Sequence, residues 1–536
     1  MRKFSWAEDL KWAALLFGLY LLFWGPTFNV QSFLTTGDMG RDLYAFQRTL
    51  LGATPCRDFW WSYGPLMPLY YDFWFLLAGV NILSARIGLA VILLLCSLLT
   101  YRVLRLFAPP PVAFLSGLAF LSLDIMYTFN HVGAFPFLVI LVFSLWKFFL
   151  TRQIRWCYLC IPFLICVALV KISAGVVTFL AFFLLLCLNH FILKFKKPEI
   201  RSVCGAGKIF LLSICFITSA VSIYSLLYRG LPFSRIDECL ILTIGQAYRA
   251  NWGATPWINF KHLILWFLVW DRRRLLWIAS TLILGALALL ALKKKKNLTL
   301  NPEILIPVIA APLLIGMANS ADYFVDGMIR RIDFWFFPML VLLMGLLLGW
   351  AASLFKRKVK MFFGVLIFLA LLYIPSRNSA EALALRIHER YLDLPHGKVY
   401  VGGPLSDAAV ISKGSRFIIE NTQPSDSILA IPYDSLYCFL SGRKQAVREL
   451  MFMEHSLISE ARQEEIIHEL QNKKVPLVVI SNRYRSRERG MGEFGRTHCR
   501  RLAAYIYQHY QEVQTFGPWD GFDRGFHAIK IYKLVA

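Results

Sequence analysis

The sequence predicts a polytopic α-helical membrane protein, with about eleven spans and a small α/β domain at its C-terminal end. Three observations carry this prediction. The 536-residue chain is 57% hydrophobic and 15% aromatic but only 17% charged, with a mean hydropathy of +0.55, whereas soluble domains are roughly 45–50% apolar and about 25% charged. Apolar runs near the length needed to cross a hydrocarbon core of roughly 30 Å recur as far as Ser376. Beyond Ser376 the runs shorten and alternate with charged, helix-like stretches. An ordinary soluble enzyme and a disordered chain are both excluded.

The first run, about Trp12 to Phe28, follows Arg2, Lys3 and Lys11. It is long, aromatic and without a clear small-residue cleavage site, so it reads as an uncleaved span. Further spans are expected at about 82–101, 109–126, 133–150, 156–172, 174–193, 209–228, 275–292, 303–320, 334–354 and 361–376. The net charge of +24 sits in short clusters between these runs: Arg102 and Arg105; Arg152 and Arg155; Lys194, Lys196, Lys197, Arg201 and Lys208; Lys293 to Lys296; and Lys356 to Lys360. Basic residues near span ends fix orientation. With the N-terminus cytoplasmic, every one of these clusters falls on the cytoplasmic side and the C-terminal segment outside. This placement argues against nucleic acid as the partner. Arg272–Arg274 break the pattern and are expected at headgroups. The eleven cysteines scatter mostly within spans. Cys157 and Cys160 form a C-x-x-C without a second pair, so neither a metal site nor a disulfide framework is expected.

The organisation is therefore a membrane module over 1–376, with its first outer loop at 29–81, followed by an extracytoplasmic α/β domain over 377–536. In the latter, Lys398–Val401, Ile428–Ile431, Leu477–Ile480 and Ala528–Tyr532 read as strands, and Ser459–Lys474 and Arg496–Gln511 as helices. A second long outer loop runs from Arg229 to Arg274.

The first outer loop is the densest in polar signals. Leu43, Phe46, Leu50 and Leu51 recur at helical spacing beside Arg41, Asp42, Gln47, Arg48 and Thr49, which predicts an amphipathic helix lying in the membrane interface. A second apolar stretch, Leu66–Leu77, is expected to lie along the membrane. Asp38 precedes the first helix and, on position alone, fits an N-cap as well as a reactive carboxylate. Asp42 fits an ion pair with Arg41 or Arg48. Arg57-Asp58 fits an exposed ion pair of little energetic weight.

The order Asp38-x-Gly40-x-x-x-Tyr44, Leu51-Gly52, Arg57-Asp58-Phe59, Gly64-Pro65-Leu66 resembles the start of the bacterial GT-C glycosyltransferases, the membrane enzymes related to protein O-mannosyltransferases and lipid A aminoarabinose transferases. The layout of one span, a large outer loop, further spans and an outer C-terminal domain resembles them too. The resemblance implies a polyprenyl-phosphate sugar donor, transfer to an extracytoplasmic hydroxyl and a catalytic acidic residue in the first loop, which here is Asp38. Many relatives carry Asp-Glu at that point. This chain has Asp38-Met39, with Asp42 four positions on, so Asp38 acts alone or with Asp42.

Such a reaction needs a general base for the acceptor hydroxyl and fixed cations for the departing lipid phosphate. The sequence offers Lys171, at the outer end of the fifth span, and Arg330 and Arg331, which flank the tenth, as lipid-phosphate ligands. Arg57, Asp58, Tyr63, Asp124, His131, Tyr248 and Arg249 are weaker candidates for substrate contacts, each with a plain structural alternative; Trp252 belongs with the last two. No cofactor is required, and a divalent cation is compatible. The expected partners are the lipid-linked donor, a glycan, lipid or protein acceptor, and membrane lipids. The expected location is a bacterial inner membrane. Two rival readings are a glycan polymerase or ligase of the same chemistry, and a transporter or flippase for a lipid-linked glycan. The latter predicts inverted repeats and discontinuous helices near the midplane; no such symmetry is visible, and the polar residues crowd the outer interface instead. A sensor or assembly protein whose C-terminal segment binds a partner is a third reading.

Overall fold

The computed structural model describes residues 6–31, 34, 36–122, 129–196, 205–232, 236, 239, 285, 302–325, 332–387, 390–402, 408–456, 458–485, 492–520 and 526–535. Ten of the eleven expected spans overlap helices, the third of them only over Pro110–Leu118 and the 3-10 turn after it. These are α1 (Trp6–Trp24), then α4 (Ile82–Leu104), α5 (Pro110–Leu118), α6 (Phe135–Thr151), α7 (Arg155–Val170), α8 (Ile172–Lys196) and α9 (Ala206–Leu227), and finally helices at Pro302–Val325, Ile332–Ala351 and Arg357–Ile387. Of the expected span at 275–292, only Gly285 is among the described residues. Six of the described helical segments are long and apolar enough to cross a bilayer, and five more apolar helices are shorter. The chain is thus a multi-pass membrane protein.

Two further helices, α2 (Asp38–Leu50) and α3 (Leu66–Ala78), fill the loop after α1. Helix α3 buries Met67, Tyr71 and Phe75 and exposes Leu69, Phe73, Leu76 and Leu77, the outward apolar face that an element lying against lipid requires.

Helix α2 corrects the sequence expectation. Every residue from Met39 to Gln47 is buried, including Arg41, Asp42 and Gln47. The polar face expected to meet headgroups is covered by the C-terminal domain. A Cβ on Gly40 would lie 2.6 Å from the Leu436 backbone nitrogen, so glycine is what admits the close approach of the helix Ser435–Ser441. Tyr44 seals the same contact by accepting the Gln445 N–H at 2.8 Å.

The C-terminal domain is built on a five-stranded sheet in the order β5-β4-β6-β8-β7, made of β5 (Lys444–Gln445), β4 (Ser427–Ile431), β6 (Leu477–Ser481), β8 (Ile529–Leu534) and β7 (Tyr510–Phe516). The first three strands are parallel and the last two antiparallel. In β6 all five residues of Leu-Val-Val-Ile-Ser are buried, and in β4 four of five are. Such continuous apolar runs are typical of parallel strands covered on both faces. A second sheet ties this domain to the first loop: β1 (Val30–Gln31) pairs in parallel with β3 (Val399–Val401), which pairs antiparallel with β2 (Tyr391–Leu392).

The helix ends sort into two faces. On one, the Gly64 N–H meets the Val170 carbonyl at 3.0 Å and the Ile82 N–H meets the His396 carbonyl at 3.0 Å, while Arg386 Nη2 donates to the Pro26 carbonyl at 2.7 Å. The first loop, the start of α4, the ends of α1 and α7 and the end of Arg357–Ile387 therefore share this face with the C-terminal domain. On the other, Asp9 of α1 accepts from Arg105 at 2.7 Å, Tyr101 at 2.8 Å and Arg102 at 3.2 Å. Arg105, expected to mark only topology, is buried in that latch.

Candidate active site

Helix α2 opens at Asp38, yet Asp38 does not cap it. Gly37 is the N-cap residue, its carbonyl receives the Arg41 N–H at 2.8 Å, and no side chain supplies a capping bond. The Asp38 carboxylate turns instead to the C-terminal domain, where the Tyr433 hydroxyl donates to Oδ1 at 2.7 Å. Arg41 joins the pair: its Nη1 donates to the Tyr433 oxygen at 2.7 Å and to Asp38 Oδ1 at 3.4 Å. Its other edge donates to Oδ1 of Asp42, from Nη2 at 2.7 Å and Nε at 3.1 Å. One guanidinium thus bridges two carboxylates.

Exposure distinguishes the three charges. The Asp38 side chain is 29% exposed, Arg41 3% and Asp42 0%. Asp38 alone offers a carboxylate that an incoming molecule can reach. Burial pushes the Asp42 carboxyl up to about 6, against the pull of Arg41. Burial would lower the Arg41 pKa, but Tyr433, Tyr63, Asp42 and Asp38 more than offset it and hold the guanidinium protonated. Burial also raises Tyr63 to about 12 and Tyr433 well above the usual phenol value, so both remain O–H donors at neutral pH.

Aromatic rings wall this cluster. The Arg41 guanidinium carbon lies 4.6 Å from the Tyr63 ring centroid, 5.8 Å from Trp61 and 5.9 Å from Tyr433, within the range of cation–π attraction. Trp61 is held by its Nε1–H on the Gly64 carbonyl at 3.1 Å. Gly64 lies so close to α7 that a Cβ there would collide with the Leu169 carbonyl. That approach brings the loop to Lys171, an extended residue (φ −151°, ψ 120°) between α7 and α8. The Gly64 N–H on the Val170 carbonyl, at 3.0 Å, sets Lys171 beside the loop that carries Tyr63. The buried His131 ring meets Tyr63 edge-on at 5.1 Å.

Of the residues singled out from the sequence, the fold gathers Asp38, Asp42, Tyr63, His131 and Lys171. Arg57 and Asp58 form an exposed pair at 2.9 Å, and Asp58 Oδ2 also takes the Thr54 N–H at 2.7 Å; both serve to close the 54–59 turn. Asp124, Arg330, Arg331, Tyr248 and Arg249, with Trp252 and Arg272–Arg274, lie outside the described residues. Sequence reasoning missed three participants. Arg41 was legible only as a partner of Asp42, although an arginine three residues after an aspartate on a helix is itself a signal for an ion pair. Tyr433 and Arg483, whose guanidinium carbon lies 5.3 Å from the Tyr433 ring, carry no local signal at all.

No protein-family profile and no curated protein matches the sequence. Solved structures do match in three dimensions. The Archaeoglobus fulgidus oligosaccharyltransferase, in complex with Zn and sulfate, overlays with a TM-score of 0.52 at 12% identity, over 94% of this chain and 72% of that one. The chain has a GT-C fold. Two other similar structures are ArnT from Cupriavidus metallidurans bound to undecaprenyl phosphate (TM-score 0.47, 12% identity, 97% of this chain and 98% of that one) and the mycobacterial arabinofuranosyltransferase AftD (0.42, 12%, 98% and 40%).

A zinc ion accompanies the archaeal structure. Among the described residues no three His, Cys, Asp or Glu side chains group as metal ligands. Within the described site, Arg41 is the counter-charge of both aspartates.

Proposed function

We propose that the chain is a polyprenyl-phosphate-dependent glycosyltransferase, a hexosyl- or pentosyltransferase that moves a sugar to an extracytoplasmic hydroxyl on a glycolipid, lipopolysaccharide, wall polymer or protein. The single observation that carries this reading is the partly exposed Asp38 carboxylate, backed by the buried Arg41–Asp42 pair at the face where the helix ends, the first loop and the C-terminal domain meet. The fold is one that an oligosaccharyltransferase also uses.

In this reading Asp38 takes the proton of the acceptor hydroxyl as it attacks the anomeric carbon. The carbon–oxygen bond to the lipid phosphate breaks, and its electron pair leaves on the phosphate. General-base assistance of this kind contributes typically 10²–10⁴-fold. Lys171 receives the departing anion as a point charge, with Arg330 and Arg331 as further ligands. Asp42 has no exposed surface, so it anchors Arg41 and leaves proton transfer to Asp38. Tyr63 and His131 shape the wall of the site. The N-terminus is cytoplasmic, the C-terminal domain lies outside, and the membrane is the inner membrane of a bacterium.

The test is incubation of the purified protein with a panel of polyprenyl-phosphate sugars. Release of free polyprenyl phosphate from at least one donor supports the reading; an intact panel in the presence of glycan, lipid and peptide acceptors contradicts it.

A further inference from the structure

We propose that Tyr433 is a positioning residue for Asp38, so that the C-terminal domain supplies part of the reaction machinery and is more than an appended acceptor-docking unit. This inference rests on Asp38 being the general base.

The geometry is specific. The Tyr433 hydroxyl both donates to Asp38 Oδ1 and accepts from Arg41 Nη1, each at 2.7 Å. The direct Arg41–Asp38 contact is longer, at 3.4 Å, so the phenol is the shorter link between the carboxylate and its buried cation. The ring is fully packed, 3% exposed, with the Arg41 and Arg483 guanidinium carbons 5.9 and 5.3 Å from its centroid. Its backbone is equally fixed. Asp434 Oδ2 accepts both the Tyr433 N–H at 3.3 Å and the Ser481 hydroxyl at 2.5 Å, which ties Tyr433 to the end of β6. A rigid phenol on Oδ1 fixes the orientation of the whole carboxylate.

A mere domain contact would not need this arrangement. The domain is already docked on α2 through Tyr44 and Gln445 (2.8 Å), on the loop through the Trp60 N–H and the Arg448 carbonyl (2.7 Å), and on residues 30–31 through β3. Tyr433 is the contact that ends on the accessible carboxylate. Among the described residues, the charged and titratable groups that face this cluster include Arg41 and Asp42 from α2, Tyr63 from the loop, Lys171 from the α7–α8 junction, and Tyr433 and Arg483 from the C-terminal domain.

A hydrogen bond donated to a carboxylate favours its charged form. Removing it from a general base therefore shifts the acid limb of kcat/KM to higher pH. In the full-length protein, Tyr433→Phe is expected to lower kcat about tenfold with donor KM unchanged and to move the acid limb up by about one unit. Tyr44→Phe, which loosens the docking without touching Asp38, is expected to leave that limb in place. Should the Phe variant fold poorly, a fluorinated tyrosine at 433, a stronger donor of the same shape, is expected to move the limb down. An unmoved limb in both 433 variants, or an equal shift in Tyr44→Phe, overturns the positioning role while an inactive Asp38→Asn leaves the enzyme reading standing. Full activity in Asp38→Asn overturns both.

Discussion

Tyr433 and Asp38 lie 395 residues apart in sequence and 2.7 Å apart in space. This contact joins the C-terminal sheet to the first turn of α2 and makes the candidate site a composite of both regions.

Asp42 pairs with a guanidinium that is 3% exposed. Asp42→Ala leaves that charge buried without its main partner, which typically costs about 3–5 kcal/mol. Chemical unfolding in detergent is expected to report a loss of that order, while Arg48→Ala, at the last turn of the same helix, is expected to stay within about 0.5 kcal/mol.

The same aspartate predicts a pH dependence. Its folded pKa is raised from 3.8 to about 6, chiefly by burial. Between those values the native state holds more protons than the unfolded one, so stability falls as pH rises. Melting curves between pH 4 and pH 6.5 are expected to show this decline. In Asp42→Asn the decline is expected to flatten; an unchanged slope assigns it to other groups.

Lys171→Ala is expected to raise donor KM at least tenfold while leaving thermal stability within the scatter of wild type, and Lys171→Arg to recover part of the loss because the charge is retained. A variant that loses yield but keeps donor KM would mark Lys171 as structural.

Gly40 is the door through which the C-terminal domain reaches α2. Gly40→Ala places a methyl against the Leu436 backbone and is expected to cost about 1–3 kcal/mol, in the manner of overpacking. Limited proteolysis is expected to release the C-terminal domain faster in this variant.

The legibility of the fold in the sequence follows the range of the interactions. Hydropathy located ten helices because each span is a continuous local signal. The apolar strands near 399, 428, 477 and 529 were equally legible. Strand β7 was not: Tyr510–Phe516 is polar and lies at the sheet edge, so only its register on β8 makes it a strand, and the preceding helix ends at His509 where its pattern runs on. The helix Ala408–Glu420 has Gly414 in its middle and escaped notice. At the candidate site, Asp38 stands out in the sequence by its place before a helix and by the resemblance of the motif around it. The burial of Arg41 and Asp42 was invisible, because α2 shows a polar face whether water or another domain covers it. Tyr433 sits in no motif, and its role exists only once β4 and β6 have paired.

A reporter fused after the C-terminal domain is expected to read outside the cytoplasm. A cytoplasmic signal would invert the face that carries Asp38 and remove it from an extracytoplasmic acceptor.

The most direct measurement is the rate at which polyprenyl phosphate is released from the accepted sugar donor by wild-type protein and by Asp38→Asn, at equal amounts of folded, membrane-extracted enzyme. The account predicts a loss of at least 10²-fold with donor binding retained. A rate near that of wild type would contradict it.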